Sequence, residues 1–103
     1  MRVFFGFVDI PTATTRVQLR NTSDKVKKIK FKARSTNTGR IYVGLSDVAL
    51  GTNSWELKIP NATQPEPTTD WIDLGDGSVL MSVFYADASV NGDDVEYIAV
   101  FES

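Results

Sequence analysis

Residues 28–33, KIKFKA, alternate between charged and apolar side chains at every position. An extended strand would place Ile29, Phe31 and Ala33 on one face, and Lys28, Lys30 and Lys32 on the other. A period of two fits a half-buried β-strand and does not form one apolar stripe on a helix. The same period recurs along the chain, and no segment of helical length repeats every 3.6 residues. The sequence therefore predicts an all-β fold.

Eight segments have strand character, because their apolar residues alternate or because β-branched and aromatic residues are dense. They are Val3–Val8, Arg16–Arg20, Lys28–Ala33, Ile41–Leu45, Trp55–Ile59, Trp71–Leu74, Ser78–Asp87 and Val95–Glu102. Ser78–Asp87 is apolar on both faces, which favours a central strand or one covered by a partner. At 103 residues, the chain fits a single domain. We expect one antiparallel β-sandwich over residues 1–103, jelly-roll or Ig-like, with roughly seven or eight strands.

The intervening segments supply turn signals and some expected side-chain positions. Val26 breaks the alternation of the following strand, which predicts a β-bulge near Lys27. The remaining connections are predicted at Pro11–Thr15, Asn21–Asp24, Ser35–Gly39 with Gly39 at positive φ, Asp47–Ser54, the surface loop Pro60–Asp70, Asp76-Gly77, and a hairpin turn at Asn91–Asp94. By parity, we expect Trp55 in the core, Tyr42 on the solvent or interface face, and Trp71 partly exposed.

Charge is divided unequally along the chain. Residues 1–40 carry ten of the eleven Lys and Arg and two acids, so their formal charge is +8, whereas residues 41–103 carry −10. Two interpretations fit this division: basic and acidic strands pair within one chain, or a basic face of one copy meets an acidic face of the next. Nucleic-acid binding is a weaker alternative, because no aromatic residue separates the lysines on their face and the acidic half would repel phosphate.

Several classes of chemistry are excluded or disfavoured by composition. The chain has no histidine and no cysteine, which excludes Ser-His-Asp and Cys-His catalysis and makes a zinc site improbable. Two carboxylates can hydrolyse a glycoside, but the available acids lie in or beside turns, where Asp supports backbone hydrogen bonds. The segment 73–77, DLGDG, is better explained as a turn than as a calcium loop. We therefore expect no enzyme activity, no metal and no cofactor.

The lysine row and the aromatic residues each allow two interpretations. Lysines on an edge strand protect against edge-to-edge aggregation, but several like charges in line also favour an acidic surface opposite them. Trp55, Trp71, Tyr42 and Tyr85 could form a sugar-binding platform, although core or interface packing is favoured. The candidate contact residues are Lys28, Lys30, Lys32, Arg34, Arg40, Tyr42, Trp71, Asp93, Asp94 and Glu96.

The run Val26–Val48, VKKIKFKARSTNTGRIYVGLSDV, resembles small virion structural proteins of tailed bacteriophages. The matching pattern is a strand ending in Ala, an Asn-Thr-Gly loop, an Ile-Tyr-Val-Gly strand and Asp-Val. The segments 17–19, 83–87 and 92–97 also match, so the resemblance covers most of residues 14–100. The many lysines before the loop and the Pro-rich segment 60–70 depart from the pattern.

This resemblance implies a β-sandwich that coats or completes a phage particle. We expect a capsid decoration or minor head protein, made in the host cytoplasm and located in the virion, that binds the major capsid protein. A homotrimer is expected from capsid symmetry alone, and neither nucleic acid nor membrane is expected as a partner. The alternative is a tail or baseplate module that binds host-surface carbohydrate through Trp71 and the 60–70 loop.

Overall fold

The structure, a computed structural model, describes residues 2–49, 52–75 and 79–101, apart from the side chains of 47, 49, 52 and 53. Its strands are β1 (Arg2–Ile10), β2 (Val17–Gln18), β3 (Lys25–Ala33), β4 (Ile41–Ala49), β5 (Thr52–Leu57), β6 (Ile72–Asp73), β7 (Val79–Leu80), β8 (Tyr85–Ala88) and β9 (Asp93–Phe101). One 3₁₀ turn, Met81–Val83, lies between β7 and β8. The predicted all-β class is confirmed.

The strands form two antiparallel sheets. Sheet I has the order β1-β9-β3-β6, with β7 also pairing with β3, and sheet II has the order β2-β8-β4-β5. The predicted bulge is confirmed, because the pairing of β3 with β9 shifts between Val26 and Lys28. The shift explains why Val26 and Ile29, three residues apart, are both fully buried.

The core lies between the sheets and is built from the inward side chains of both. Sheet I contributes Phe31 and Phe101, and sheet II contributes Ile41 and Val43. Phe84, which follows the 3₁₀ turn, packs against Phe31 with ring centroids 6.2 Å apart. One apolar layer between two sheets is the arrangement that the alternating pattern predicts.

The segment predicted as one long strand, Ser78–Asp87, is instead divided between the sheets. Val79 and Leu80 pair with β3 in sheet I, the 3₁₀ turn crosses the core, and Tyr85–Ala88 pair with β4 in sheet II. The segment crosses from sheet I to sheet II with Met81 and Phe84 buried in the core and Leu80 and Val83 half-buried, so its apolar residues do not belong to one strand covered on two sides. Ser78 lies outside the described residues.

Two predicted connections are corrected. The proposed loop 47–54 is largely the two strands β4 and β5, which extend to Ala49 and from Thr52. The Asn91-Gly92 turn has the positive φ of 82° at Gly92, but it connects β8 of sheet II to β9 of sheet I and so is not a hairpin. The predicted turn at 76–77 lies outside the described residues, as does Glu102 at the end of the last predicted strand.

Gly39 is needed for space and not for positive φ. Its backbone is not left-handed, but a Cβ there would lie 2.6 Å from Val90 Cγ2 and also against the Ser89 hydroxyl. The loop before β4 thus packs directly on the turn after β8. This close approach depends on tertiary contacts that local sequence patterns do not report.

Two aromatic positions in sheet II are opposite to expectation. Trp55 is 41% exposed and Tyr42 only 7% exposed. Both residues lie in the regular part of the β4–β5 pairing, which becomes irregular only between Gly44 and Ala49. Leu45, which has the same parity as the buried Ile41 and Val43, is likewise exposed.

Candidate interaction surface on sheet I

The lysine row lies in the interior of sheet I and not at its edge. On one side β3 pairs with β9, and on the other it pairs with β7, β6 and the segment 67–69. The Ala33 amide donates to the Pro67 carbonyl at 2.8 Å, and the Thr69 amide donates to the Phe31 carbonyl at 2.9 Å. Protection of a free edge therefore does not explain these lysines.

The lower part of the row is neutralised by acids of β9. Lys32 lies opposite Glu96 in register, with Nζ 3.6 Å from a Glu96 carboxylate oxygen and 3.6 Å from Glu66. Arg34 lies 3.6 Å from both Asp94 and Glu96. The interpretation that basic and acidic strands pair within the chain is confirmed at these positions. Each pair is partly exposed and contributes at most about 1 kcal/mol.

Lys28 and Lys30 are different, because neither has a carboxylate within 4.0 Å among the described residues. Their ammonium groups instead lie 4.8 and 5.7 Å from the Trp71 ring centroid. Trp71 is 43% exposed, as expected, and its ring face is engaged by these cations. Lys28 lies opposite Asp73 in the register of β3 and β6, so Lys28 and Lys30 present positive charge to solvent without an ion pair shorter than 4.0 Å among the described residues.

An exposed apolar strip borders this basic area and was not predicted. Val3, Phe5 and Phe7 point outward from β1 and are 55%, 71% and 57% exposed. Phe5 lies opposite Ile98 of β9, which in turn lies opposite Lys30. A groove of about 330 Å³ is lined by Phe5, Ile98, Lys30, Lys32, Thr68 and Glu96 among others. The signal in the sequence was the run Val3–Val8, which is apolar at both parities.

Two aspartates lie at one end of the outer side of sheet I. Asp9 and Asp94 are direct cross-strand partners in β1 and β9. Partial burial, followed by the hydrogen bond and the negative charge of Asp9, raises the pKa of the Asp94 carboxyl, while Arg34 acts in the opposite direction. At the far end of β1, the Arg2 guanidinium donates to Asp24 at 2.6 Å and, with Thr22, lowers the pKa of that carboxyl.

Three of the candidate contact residues lie elsewhere. Asp93 is 4% exposed, and its carboxylate accepts the Thr38 and Gly39 amides at 3.1 and 2.8 Å. Tyr42 is buried, so neither side chain is available to a partner. Arg40 is exposed on sheet II, 3.6 Å from Glu56, which also lies 3.3 Å from Lys58. The structure brings together the other seven on the outer side of sheet I.

The outer side of sheet I can bind a partner through its exposed apolar side chains, its cations and the unpaired backbone groups of its edge strand β1. Among residues 2–49, 52–75 and 79–101, no three potential ligand side chains cluster as they would around a metal ion. Burial raises the pKa of the Tyr97 hydroxyl, which lies inward beneath Gly6. In the same ranges there is no helix of the length and hydrophobicity needed to span a bilayer.

Comparisons with known proteins give fold similarity only. The chain is similar to one in the acidic stable capsid structure of Helicobacter pylori bacteriophage KHP30, with a TM-score of 0.54 and 16% identity over 96% of this chain and 86% of that one. A carbohydrate-binding module from Cellvibrio mixtus lichenase 5A, in complex with cellotriose, has a TM-score of 0.39 and 19% identity, covering 95% and 72%. No family model and no curated protein sequence matches.

Proposed function

We propose that this chain is a phage virion structural protein, and more specifically a decoration or minor head protein that binds the major capsid protein. The observation that carries the proposal is the outer side of sheet I, where the exposed Val3 and Phe5 of β1 share register with Lys28 and Lys30 of β3 across the intervening β9. Contiguous exposed apolar area with a charged rim is typical of a protein-binding surface.

The similarity to a phage capsid chain supports this proposal, because nearly the whole sandwich is shared with a protein of a virus shell. The resemblance of residues 26–48 to phage virion proteins is a separate argument from sequence. Under the proposal the chain is made in the host cytoplasm and ends in the virion. It catalyses no reaction there, and burial of apolar area combined with charge complementarity holds it on the shell.

Binding to particles tests the proposal directly. We expect the chain among the proteins of purified virions by mass spectrometry, and we expect the purified chain to co-sediment with heads that lack it. Binding should weaken as the salt concentration in the assay is raised from about 50 to about 500 mM. The Debye length then falls from about 14 to about 4 Å, so exposed charge pairs are screened. Lys30→Glu should weaken binding about tenfold or more.

Arg16→Glu is the matched control, since Arg16 is exposed, carries the same charge and adjoins β2 of sheet II. It should bind as the unmodified chain does. Absence from virions, or tight binding to cell-wall polysaccharide with none to heads, would refute the capsid proposal and favour the carbohydrate-binding alternative.

A further inference from the structure

We propose that two copies of this chain associate through β1, edge to edge, and so join their two copies of sheet I into one continuous antiparallel sheet. Among the described residues β1 pairs only with β9, so the other side of its residues 3–10 presents backbone N–H and C=O groups without a strand partner. This inference concerns self-association and does not depend on the proposed virion role.

The first argument is the length and composition of this edge. Nine residues at about 3.4 Å each give an edge of about 30 Å, compared with a longest dimension of 36 Å for the molecule. Short edge strands, prolines, bulges and charges pointing outward are the usual protection of an edge. Within 3–8, β1 has none of them, and its charged residues, Arg2 and Asp9, lie towards its two ends.

The second argument is the self-complementarity of the sequence VFFGF at residues 3–7. A two-fold axis perpendicular to the sheet pairs residues of equal parity, because the same face of both sheets then points outward. Centring the axis on Phe5 places Phe5 opposite its own copy, and Val3 opposite Phe7 of the second copy. Every exposed apolar side chain of β1 then has an apolar cross-strand partner. Centring it on Gly6 would instead place Asp9 opposite Val3.

The third argument is electrostatic. Between the two copies of β3 lie five inter-strand steps of about 4.8 Å, or about 24 Å, which is about three Debye lengths at physiological salt. The lysine rows therefore do not oppose association. The antiparallel arrangement also separates the two Asp9–Asp94 pairs to opposite ends of the interface and brings each towards the end of the other copy that carries Arg2.

An interface of this kind is isologous and uses the β1 edge of both partners, so this contact gives a pair and does not continue to a trimer. The basic area around Lys28 and Lys30 stays uncovered, since it lies two strands away from the edge. The β1 contact and a contact with a third protein can therefore coexist.

The oligomeric state of the full chain tests the inference. By light scattering coupled to size exclusion, and by sedimentation equilibrium, we expect a mass of twice 11.4 kDa that falls towards 11.4 kDa on dilution. Phe5→Lys and Phe5→Glu should each weaken the dimer at least about a hundredfold, because two buried rings are lost and like charges face each other across the axis. Phe5 is 71% exposed, so either variant should keep its fold, which circular dichroism checks.

An equimolar mixture of the two variants should recover the dimer, because Lys and Glu then face each other at position 5. Leu45→Lys is the matched control, an equally drastic change at a half-exposed apolar residue of sheet II, and it should leave the dimer intact. The inference would be overturned if the chain stays monomeric at all concentrations up to about 10⁻³ M, because a dimer with a larger dissociation constant would be very weak. A dimer that tolerates Phe5→Lys, or variants that do not complement each other, would overturn it as well.

Discussion

Asp93 shows how much a single buried carboxylate can organise. It lies at the start of β9, almost without solvent exposure, and accepts hydrogen bonds from two consecutive amides of the loop before β4. The neighbouring Asn37 completes the contact by exchanging hydrogen bonds with the backbone of Asp94. The residue was a candidate for partner contacts from its sequence position, yet its role is to join the 35–40 loop to sheet I.

Replacement of Asp93 by alanine should lower the free energy of unfolding by about 2–3 kcal/mol, because two amides lose a charged acceptor in a buried site. Asp70→Ala is the control, since Asp70 is exposed and should change the free energy by less than about 0.5 kcal/mol. Urea denaturation of both variants measures the difference. Equal stability of the two would show that the loop does not need this carboxylate.

The Asp9–Asp94 pair gives a pH dependence whose sign follows from the raised pKa of Asp94. A raised value means that the folded chain holds this proton more tightly than the unfolded chain, so the contribution of Asp94 to stability rises as pH falls through its folded pKa. Asp93 adds negative charge, whereas Arg34 partly offsets it. Asp24 acts oppositely, because its lowered pKa adds stability that is lost in acid.

We therefore expect Asp9→Asn to raise the free energy of unfolding at pH 7 by about 0.2–1 kcal/mol, the range for a cross-strand charge pair. The gain should disappear near pH 3, below the ordinary aspartate range of about 4, where protonated Asp94 no longer repels its neighbour. Thermal unfolding across pH checks this, with Asp70→Asn as a variant that should show no such gain. A gain that persists at pH 3 would contradict the electrostatic cause.

At the scale of elements, the Pro-rich segment is more than a surface loop. Its second half runs along β3, where the Phe31 amide donates to the Thr69 hydroxyl at 3.1 Å and two backbone bonds accompany it. Residues 67–69 thus continue the edge that β6 begins and leave the polar first half in solvent. The polar, Pro-rich composition of 60–70 predicted that its first half is exposed. The pairing of residues 67–69 with β3 could not be predicted, because this segment lacks the alternating apolar pattern of a strand.

Thr69→Val should lower the free energy of unfolding by about 1–2 kcal/mol, because the Phe31 amide loses its hydrogen-bond acceptor. Valine is chosen because it keeps the β-branched shape of threonine. Thr63→Val, in the exposed first half of the segment, should change it by less than about 0.5 kcal/mol. Hydrogen exchange at the Phe31 amide gives the local readout. Unchanged protection in Thr69→Val would show that another group satisfies this amide.

The strands that local alternation predicted best are those with one solvent face. β3 and β9 show this, since charged outward residues contrast with Phe31 and Phe101 inside. Alternation failed in the segment 78–87, where both faces are apolar because the backbone changes sheets. For β1 the sequence predicted the strand but gave no sign of the exposure of Phe5 and Phe7, which have the composition of core residues. Exposure at an edge is decided by strand order, and strand order is a tertiary property.

At the scale of the whole molecule, the two sheets should unfold as one unit. The chain passes between them at 80–85 and again around Gly92, and Phe31 and Phe84 pack across the shared core. Trp55 belongs to sheet II, and Trp71 adjoins β6 of sheet I. The variant Trp55→Phe keeps only Trp71, so its fluorescence reports on sheet I, and Trp71→Phe keeps only Trp55, so its fluorescence reports on sheet II. In each variant the unfolding midpoint measured by fluorescence should match the midpoint measured by far-UV circular dichroism.

Non-coincident transitions in either variant would show that one sheet can open alone. Met81→Ala is a useful companion, because this fully buried side chain occupies the crossing point, and its truncation should cost about 2–5 kcal/mol. In this variant both tryptophan signals should shift together to lower denaturant concentration. The exposed Leu45→Ala should shift neither by a comparable amount.

The passage from β7 to β8 also has a mechanical consequence. Only Met81–Phe84 separate a strand hydrogen-bonded to β3 from a strand hydrogen-bonded to β4. A force applied to one sheet is therefore transmitted to the other along the covalent backbone within a few residues, and not only through side-chain packing between the sheets. Shearing the layers apart must therefore also break backbone hydrogen bonds, either those of β7 with β3 or those of β8 with β4.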